Sequence, residues 1–152
     1  MDFSSILVPV SGSPSDEQTV KLACELLKPS GGNLFIIYII QINRSLPIDA
    51  VLPSEVMIGD NILKSMEKLA EKFKHQLKAE LIQAREVGYA IVQEATRRKV
   101  DGIAMTSPKS MKFGQFELDK TVTYVLQNAE CKVLLWHDQK TKKFLVCMCI
   151  SL

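Results

Sequence analysis

The chain has 152 residues, of which 47% are hydrophobic and 24% are charged, proportions that fit one globular domain with a buried core. A formal net charge of +2 does not indicate a nucleic-acid or membrane partner. No apolar run approaches the roughly 18 residues of a membrane span, and Asp2 stands where a secretion signal would carry positive charge. We therefore expect a cytoplasmic protein without a transmembrane segment.

Hydrophobic periodicity predicts strands and helices that alternate along the chain. The predicted strands cover residues 6–10, 34–40, 78–84, 103–105 and 132–136, and the apolar stripes of the four intervening helices include Val20 and Ala23, Met66 and Ala70, Ile91 and Ala95, and Val125 and Leu126. This order predicts an α/β fold with a doubly wound, five-stranded parallel sheet and helices on both faces. Ligands bind such sheets at the carboxyl ends of the strands, where the strand order reverses.

Expected bounds follow for two of the helices. Ser13 is predicted to be the N-cap of the first helix, with Pro14 at its first position and Asp16 complementing the helix dipole. The second helix is expected to end near Leu77, with His75 on its exposed side.

Four stretches in the expected order resemble the universal stress protein family: ILVPVSGS (6–13), GNLFIIYII (32–40), QAREVGYAIVQEATRRKVDGIAM (83–105) and VLQNAECKVLLW (125–136). The family usually has Asp where this chain has Ser11. The resemblance implies an adenine nucleotide alpha hydrolase-like fold over residues 1–139. It also implies a homodimer formed through the last strand, near the C-terminal tail at 140–152.

Nucleotide-binding members of this family carry Gly-x-x-Gly, about nine residues, and then Gly-Ser or Gly-Thr, so that backbone amides approach phosphate oxygens closely. Here Thr106 and Lys109 align with the first two glycines, and Asp119 aligns with the third. The positions that the resemblance assigns to nucleotide contacts are Pro9, Val10, Ser11, Ile39, Met105, Thr106, Ser107, Lys109, Lys120 and Thr121.

Two interpretations of this altered loop stay open. Asp119 lies just before the fourth helix, where its carboxylate can cap the free amides and repel a phosphate. Lys109, Lys112 and Lys120 favour the opposite outcome if their ammonium groups hold a phosphate, although lysines in a polar loop are usually only solvated. We expect no cofactor, or ATP or AMP bound weakly.

No catalytic constellation or metal site is predicted, because Cys147 and Cys149 have no further Cys or His near them in sequence. The apolar tail after Lys143 is expected to extend a sheet edge, cover a partner subunit or meet an anionic membrane surface. Phe113 and Phe116 suggest either a packed lid or ordinary loop packing. The predicted function is regulatory and non-enzymatic, with unidentified protein partners; the alternatives are a nucleotide-responsive switch and, more remotely, an enzyme of adenylate chemistry.

Overall fold

The structure is a computed structural model that describes residues 3–107, 111–112, 115–116, 119–138 and 143–148, with side chains for residues 3–107 and 119–136. Its elements in chain order are β1 (Ser5–Val10), α1 (Asp16–Leu26), β2 (Asn33–Gln41), α2 (Pro53–Ala70), a 3₁₀ turn (Glu71–Phe73), β3 (Gln76–Ala84), α3 (Val87–Arg98), β4 (Gly102–Ser107), β5 (Met111–Lys112), β6 (Gln115–Phe116), α4 (Lys120–Asn128), β7 (Lys132–Asp138) and β8 (Lys143–Met148).

The main sheet has the strand order β3-β2-β1-β4-β7-β8. The first five strands pair in parallel, with Ile6 beside Leu34 and Ile103 beside Val133, which confirms the predicted doubly wound parallel sheet. The chain runs outward from β1 to β3 and then returns to build β4 and β7 on the other side of β1. The strand order therefore reverses between β1 and β4, which opens a crevice at their carboxyl ends.

The C-terminal tail contributes a sixth strand to this sheet. β8 pairs antiparallel with β7, with Val133 opposite Met148 and Asp138 opposite Lys143. Of the roles considered for the tail, extension of a sheet edge is therefore realised within this chain.

Helices pack against both faces of the sheet, as predicted. Side chains alternate along β1, so that Ile6 and Val8 meet α1 and α2 while Leu7 meets the layer of α3 and α4. The helix stripes that the sequence predicts are buried: Val20, Ala23, Met66 and Ala70 lie in the first layer, and Ile91, Ala95, Val125 and Leu126 lie in the second.

Two predicted helix bounds are wrong. The first helix begins at Asp16, and Pro14 lies in the preceding turn, so Ser13 is not its N-cap. The second helix ends at Ala70 and passes through a 3₁₀ turn, so His75 does not lie on it. Instead, His75 Nδ1 accepts the Gly32 amide at 3.3 Å, and its Nε2 lies 2.9 Å from the Cys24 carbonyl oxygen. His75 thus joins the start of β3 to the end of α1.

The segment between β4 and α4 contains the short antiparallel pair β5–β6. Phe113, and with it the hypothesis of an aromatic lid, lies outside the described residues. Among the helices that are described, none is long and apolar enough to cross a membrane.

Candidate functional site

A cavity of about 240 Å³ opens at the carboxyl edge of the sheet, where the strand order reverses. Of the ten positions assigned to nucleotide contacts, seven lie together on its wall: Pro9, Val10, Ser11, Ile39, Met105, Thr106 and Thr121. The structure thus brings most of the predicted set to one place. That these residues bind a nucleotide stays a prediction.

The other three predicted positions do not line the cavity as the structure describes it. Lys120 begins α4 with an exposed side chain. Ser107 is 2% exposed at the end of β4, and its hydroxyl has no hydrogen-bond partner among the described residues. Lys109 lies outside the described residues.

The turn after β1 is organised by a carboxylate that the sequence did not single out as a site residue. Asp16 Oδ2 accepts the backbone amides of Ser11 at 3.1 Å and Gly12 at 2.7 Å. The Asp16 side chain lines the cavity, although the residue is only 2% exposed. Successive amides that point at one place form an anion site, and here the protein fills that site with its own carboxylate.

Burial raises the pKa of Asp16, and this effect outweighs the hydrogen bonds from the amides of Ser11, Gly12 and Ser13, which lower it. Gly12 has a φ of +87°, which a side chain rarely adopts, and an added Cβ would lie 2.9 Å from Ile62 Cδ1. The glycine therefore permits both the turn and its close contact with α2. A carboxylate shortly after a Ser-Gly turn was the available signal for this arrangement, but the sequence interpretation used Asp16 only as a complement to the helix dipole.

Two hydroxyl groups join α1 to β4 beside the cavity. Thr19 Oγ1 lies 2.7 Å from Thr106 Oγ1 and donates to the Ser15 carbonyl oxygen at 3.1 Å. Because the Thr19 proton is used by Ser15, the Thr106 hydroxyl is the donor in the bond between the two threonines. The Thr106 side chain, which is at the first glycine position of the family pattern, is thereby fixed to α1.

Asp119 is the N-cap of α4, and its Oδ2 accepts the Thr121 amide at 3.3 Å. This confirms the prediction that the carboxylate caps the fourth helix. The exposed side chain of Asp119 also lines the cavity. After the amides of Ser11 and Gly12, a third backbone amide at the cavity is thus partnered by an acidic side chain of the protein itself.

The remaining wall of the cavity is largely apolar. Val87 and Ile91 of α3 face it, together with Val122 of α4 and with Met105 and Ile39 of the sheet. Sequence reasoning assigned Ile91 only to a buried helix stripe and did not name Val87 or Val122 as site residues. An apolar stripe carries no signal that separates residues of a cavity wall from residues of the closed core.

Basic groups and metal sites are both missing from the described part of this region. The described wall contains no Lys, Arg or His. Across the residues that the structure describes, no group of three or more His, Cys, Asp or Glu side chains comes together to hold a metal ion. The described chemistry of the cavity is therefore that of two carboxylates, several hydroxyls and an apolar surface.

Comparison with known proteins indicates one family for this chain. The chain is 24% identical over 139 residues to universal stress protein MJ0531 of Methanocaldococcus jannaschii, covering 88% of this chain and 81% of that protein. A universal stress protein structure from Archaeoglobus fulgidus superposes with a TM-score of 0.74 at 16% identity, covering 86% of this chain and 96% of that one.

A structure of the universal stress protein from Archaeoglobus fulgidus in complex with dAMP superposes with a TM-score of 0.69 at 15% identity, covering 89% of this chain and 98% of that one. These two structural likenesses describe the fold alone. The family model named "Universal stress protein family" matches residues 2–137, so this chain belongs to the universal stress protein family.

Proposed function

We propose that this chain is a non-enzymatic regulatory protein of the stress response that binds ATP weakly or not at all. The observation that carries the proposal is the occupation of the backbone amides around the cavity. The amides of Ser11 and Gly12 donate to Asp16, and the amide of Thr121 donates to Asp119. A triphosphate would have to displace these carboxylates or approach beside them, and like charges repel.

The absence of catalysis is proposed on the chemistry of the described wall. Its hydroxyls belong to Ser11, Ser13, Tyr38, Thr106 and Thr121, and no His, Lys or Cys of the described wall stands near them as a base or nucleophile. Activation of a hydroxyl needs a base within hydrogen-bond reach. Asp16 is the one buried carboxylate of this wall, and its described hydrogen bonds are to backbone amides of its own turn.

The second candidate function is a switch that responds to ATP or AMP. It is favoured by the position of the cavity at the reversal of strand order and by the relative of the same fold that was crystallised with dAMP. In this function Lys109, Lys112 and Lys120 supply the positive charge that the described wall lacks.

Calorimetric titration with ATP and with AMP separates these functions. The first predicts dissociation constants weaker than about 1 mM, or a binding free energy no better than about −4 kcal/mol. Micromolar binding would instead favour the switch. A parallel assay for release of ADP or pyrophosphate tests the absence of catalysis, since turnover that stops in Ser11→Ala would identify an enzyme.

The protein is further proposed to act in the cytoplasm as a homodimer whose contact involves the tail at 140–152. Support for this contact comes from the position of β8 at the edge of the sheet, where its outer backbone groups can pair with a second copy. Light scattering on the full chain and on a chain that ends at residue 139 tests it. A dimer of unchanged stability without the tail would contradict the role of the tail.

A further inference from the structure

We propose that the cavity at the carboxyl edge binds an uncharged nucleoside and discriminates against the phosphate esters of that nucleoside. The proposal rests on the proposed function, in which Asp16 and Asp119 fill the positions where a phosphate would find amide donors. It adds a ligand class and names Asp119 as the residue that sets the selectivity.

The charge of the cavity disfavours a phosphate. Two carboxylates line it, and its described wall holds no cationic side chain. A phosphate monoester carries between one and two negative charges near pH 7. Placed at this wall, it would meet like charge and would find the amides of Gly12 and Thr121 already engaged.

The carboxylate of Asp119 has hydrogen-bonding capacity that its helix cap does not use. A carboxylate has about four acceptor sites, and among the described residues the carboxylate of Asp119 accepts one amide, that of Thr121. Its side chain is exposed at the cavity. In dinucleotide sites a carboxylate accepts the hydroxyls of a ribose and disfavours a phosphate at the same place. The same chemistry makes Asp119 a suitable acceptor for a nucleoside sugar.

The size of the cavity and the apolar part of its wall suit a nucleoside. Ile39, Val87, Ile91, Met105 and Val122 provide an apolar surface against which a flat heteroaromatic base can pack. The volume of about 240 Å³ is below the range of about 300–1,000 Å³ of most ligand sites. A nucleoside without its phosphates suits so small a cavity better than a triphosphate.

The test compares adenosine, AMP, ATP and 2′,3′-dideoxyadenosine by calorimetry on the full-length protein. Adenosine is expected to bind about tenfold more tightly than AMP, because one repulsive contact of about 1.4 kcal/mol weakens an affinity by that factor. Loss of the 2′ and 3′ hydroxyls of the ribose is expected to weaken binding by about tenfold, because the hydrogen bonds to a charged acceptor are lost.

Asp119→Asn removes the charge and keeps a residue that is equally favoured at an N-cap. The ratio of adenosine affinity to AMP affinity is expected to fall by about tenfold, and the difference between adenosine and dideoxyadenosine is expected to shrink. Glu130→Gln is the matched control, because it removes one exposed carboxylate that precedes β7 and does not line this cavity. That variant is expected to leave both ratios unchanged.

The outcomes separate this proposal from the proposed function. AMP that binds as tightly as adenosine overturns the selectivity for a nucleoside, and micromolar ATP binding overturns the proposed function as well. If none of the four compounds binds, the nucleoside proposal is wrong while weak or absent ATP binding stands. If Asp119→Asn and Glu130→Gln give the same ratios as the wild-type protein, Asp119 does not set the selectivity.

Discussion

The hydroxyl groups of Thr19 and Thr106 lie 2.7 Å apart and join the first turns of α1 to the end of β4. Thr19 is 1% exposed, so bulk water cannot take the place of its hydroxyl as a hydrogen-bond partner. Thr19→Val keeps the shape of the side chain but leaves the Thr106 proton and the Ser15 carbonyl without this partner. We expect a loss of about 1–2 kcal/mol in the free energy of unfolding, measured by urea denaturation with Trp136 fluorescence.

Thr96→Val is the matched control for that substitution. Thr96 donates to the Val92 carbonyl one turn earlier in α3, but its side chain is exposed. The same change of atoms there is expected to alter stability by less than about 0.5 kcal/mol. Equal effects at Thr19 and Thr96 would show that the bond between α1 and β4 contributes little.

The contribution of Asp16 to stability is expected to depend on pH in an unusual direction. Burial raises its pKa above the ordinary 3.8, despite the hydrogen bonds that lower it. The folded state therefore holds the proton more tightly than the unfolded state. The stability that this proton supplies is present below the unfolded pKa and is lost as pH rises through the folded pKa.

This pH dependence is isolated by subtracting the unfolding free energy of Asp16→Asn from that of the wild-type protein at each pH between 3 and 7. This interval brackets the unfolded pKa of Asp, which is about 3.9. The difference is expected to fall as pH rises. Asp49→Asn, in the exposed loop after β2, controls for the loss of one charge. A difference that grows with pH would indicate that the amides of Ser11 and Gly12 dominate over burial.

Arg98 is expected to be the most important cation for stability among the described residues. Its side chain is 6% exposed, bonds to Glu80 and Glu94, and lies over the Phe35 ring at 4.9 Å. Arg98→Met leaves both carboxylates without this partner and should cost about 2 kcal/mol, below the full value for a buried pair because Glu80 is one-third exposed.

Arg97→Met is the control, since Arg97 also reaches Glu94 but is 64% exposed, and its effect is expected to be much smaller.

The pKa of Glu80 is lowered by its hydrogen bonds to Lys78 and Arg98. Burial raises the pKa of Glu94, but its bonds to Arg97 and Arg98 outweigh burial and lower it. The stability from both pairs is present above the unfolded pKa of about 4.3 and is lost as pH falls through the lowered pKa, so the penalty of Arg98→Met should shrink in acid.

The sequence was sufficient for the parallel sheet and the buried helix stripes because each depends on periodicity within one element. The spacing of Val20 and Ala23, for example, places both on one face of α1, and this face packs against the core. The turn after β1 was harder, since a local rule favoured Ser13 and Pro14 as the helix start. The helix instead begins at Asp16, whose carboxylate accepts two amides of the preceding turn.

The tail and His75 were harder for a different reason. An apolar strand such as β8 has the same pattern whether it pairs with its own sheet or with a partner, and the choice depends on whether β7 has a free edge. The two hydrogen bonds of His75 join residues that are 43 and 51 positions away. Neither relationship leaves a local signal in the sequence.

Cys24 is expected to be an unreactive thiol in the folded protein. Burial, with a smaller contribution from the charge of Glu25, raises its pKa from 9.0 to about 11. At pH 8 the thiolate fraction is then about a hundredfold lower than in the unfolded chain. Iodoacetamide labelling followed by peptide mass spectrometry should show slow modification at Cys24 that accelerates by at least this factor in urea. Equal rates in both states would exclude the protected thiol.

The substitution Asp119→Gly tests whether the carboxylate at the start of α4 excludes phosphate. Glycine is an acceptable N-cap, so the loss of stability relative to Asp is expected to be only a few tenths of a kcal/mol. The variant exposes the Thr121 amide that Asp119 now occupies and removes one negative charge from the cavity wall. Because both changes favour an anion at a helix N-terminus, AMP affinity is expected to rise about tenfold, measured by calorimetry. Glu130→Gly makes the same kind of change away from this cavity and should leave AMP affinity unchanged. A rise of AMP affinity in both variants would point to net charge alone. No rise of AMP affinity in either variant would mean that Asp119 does not block the site.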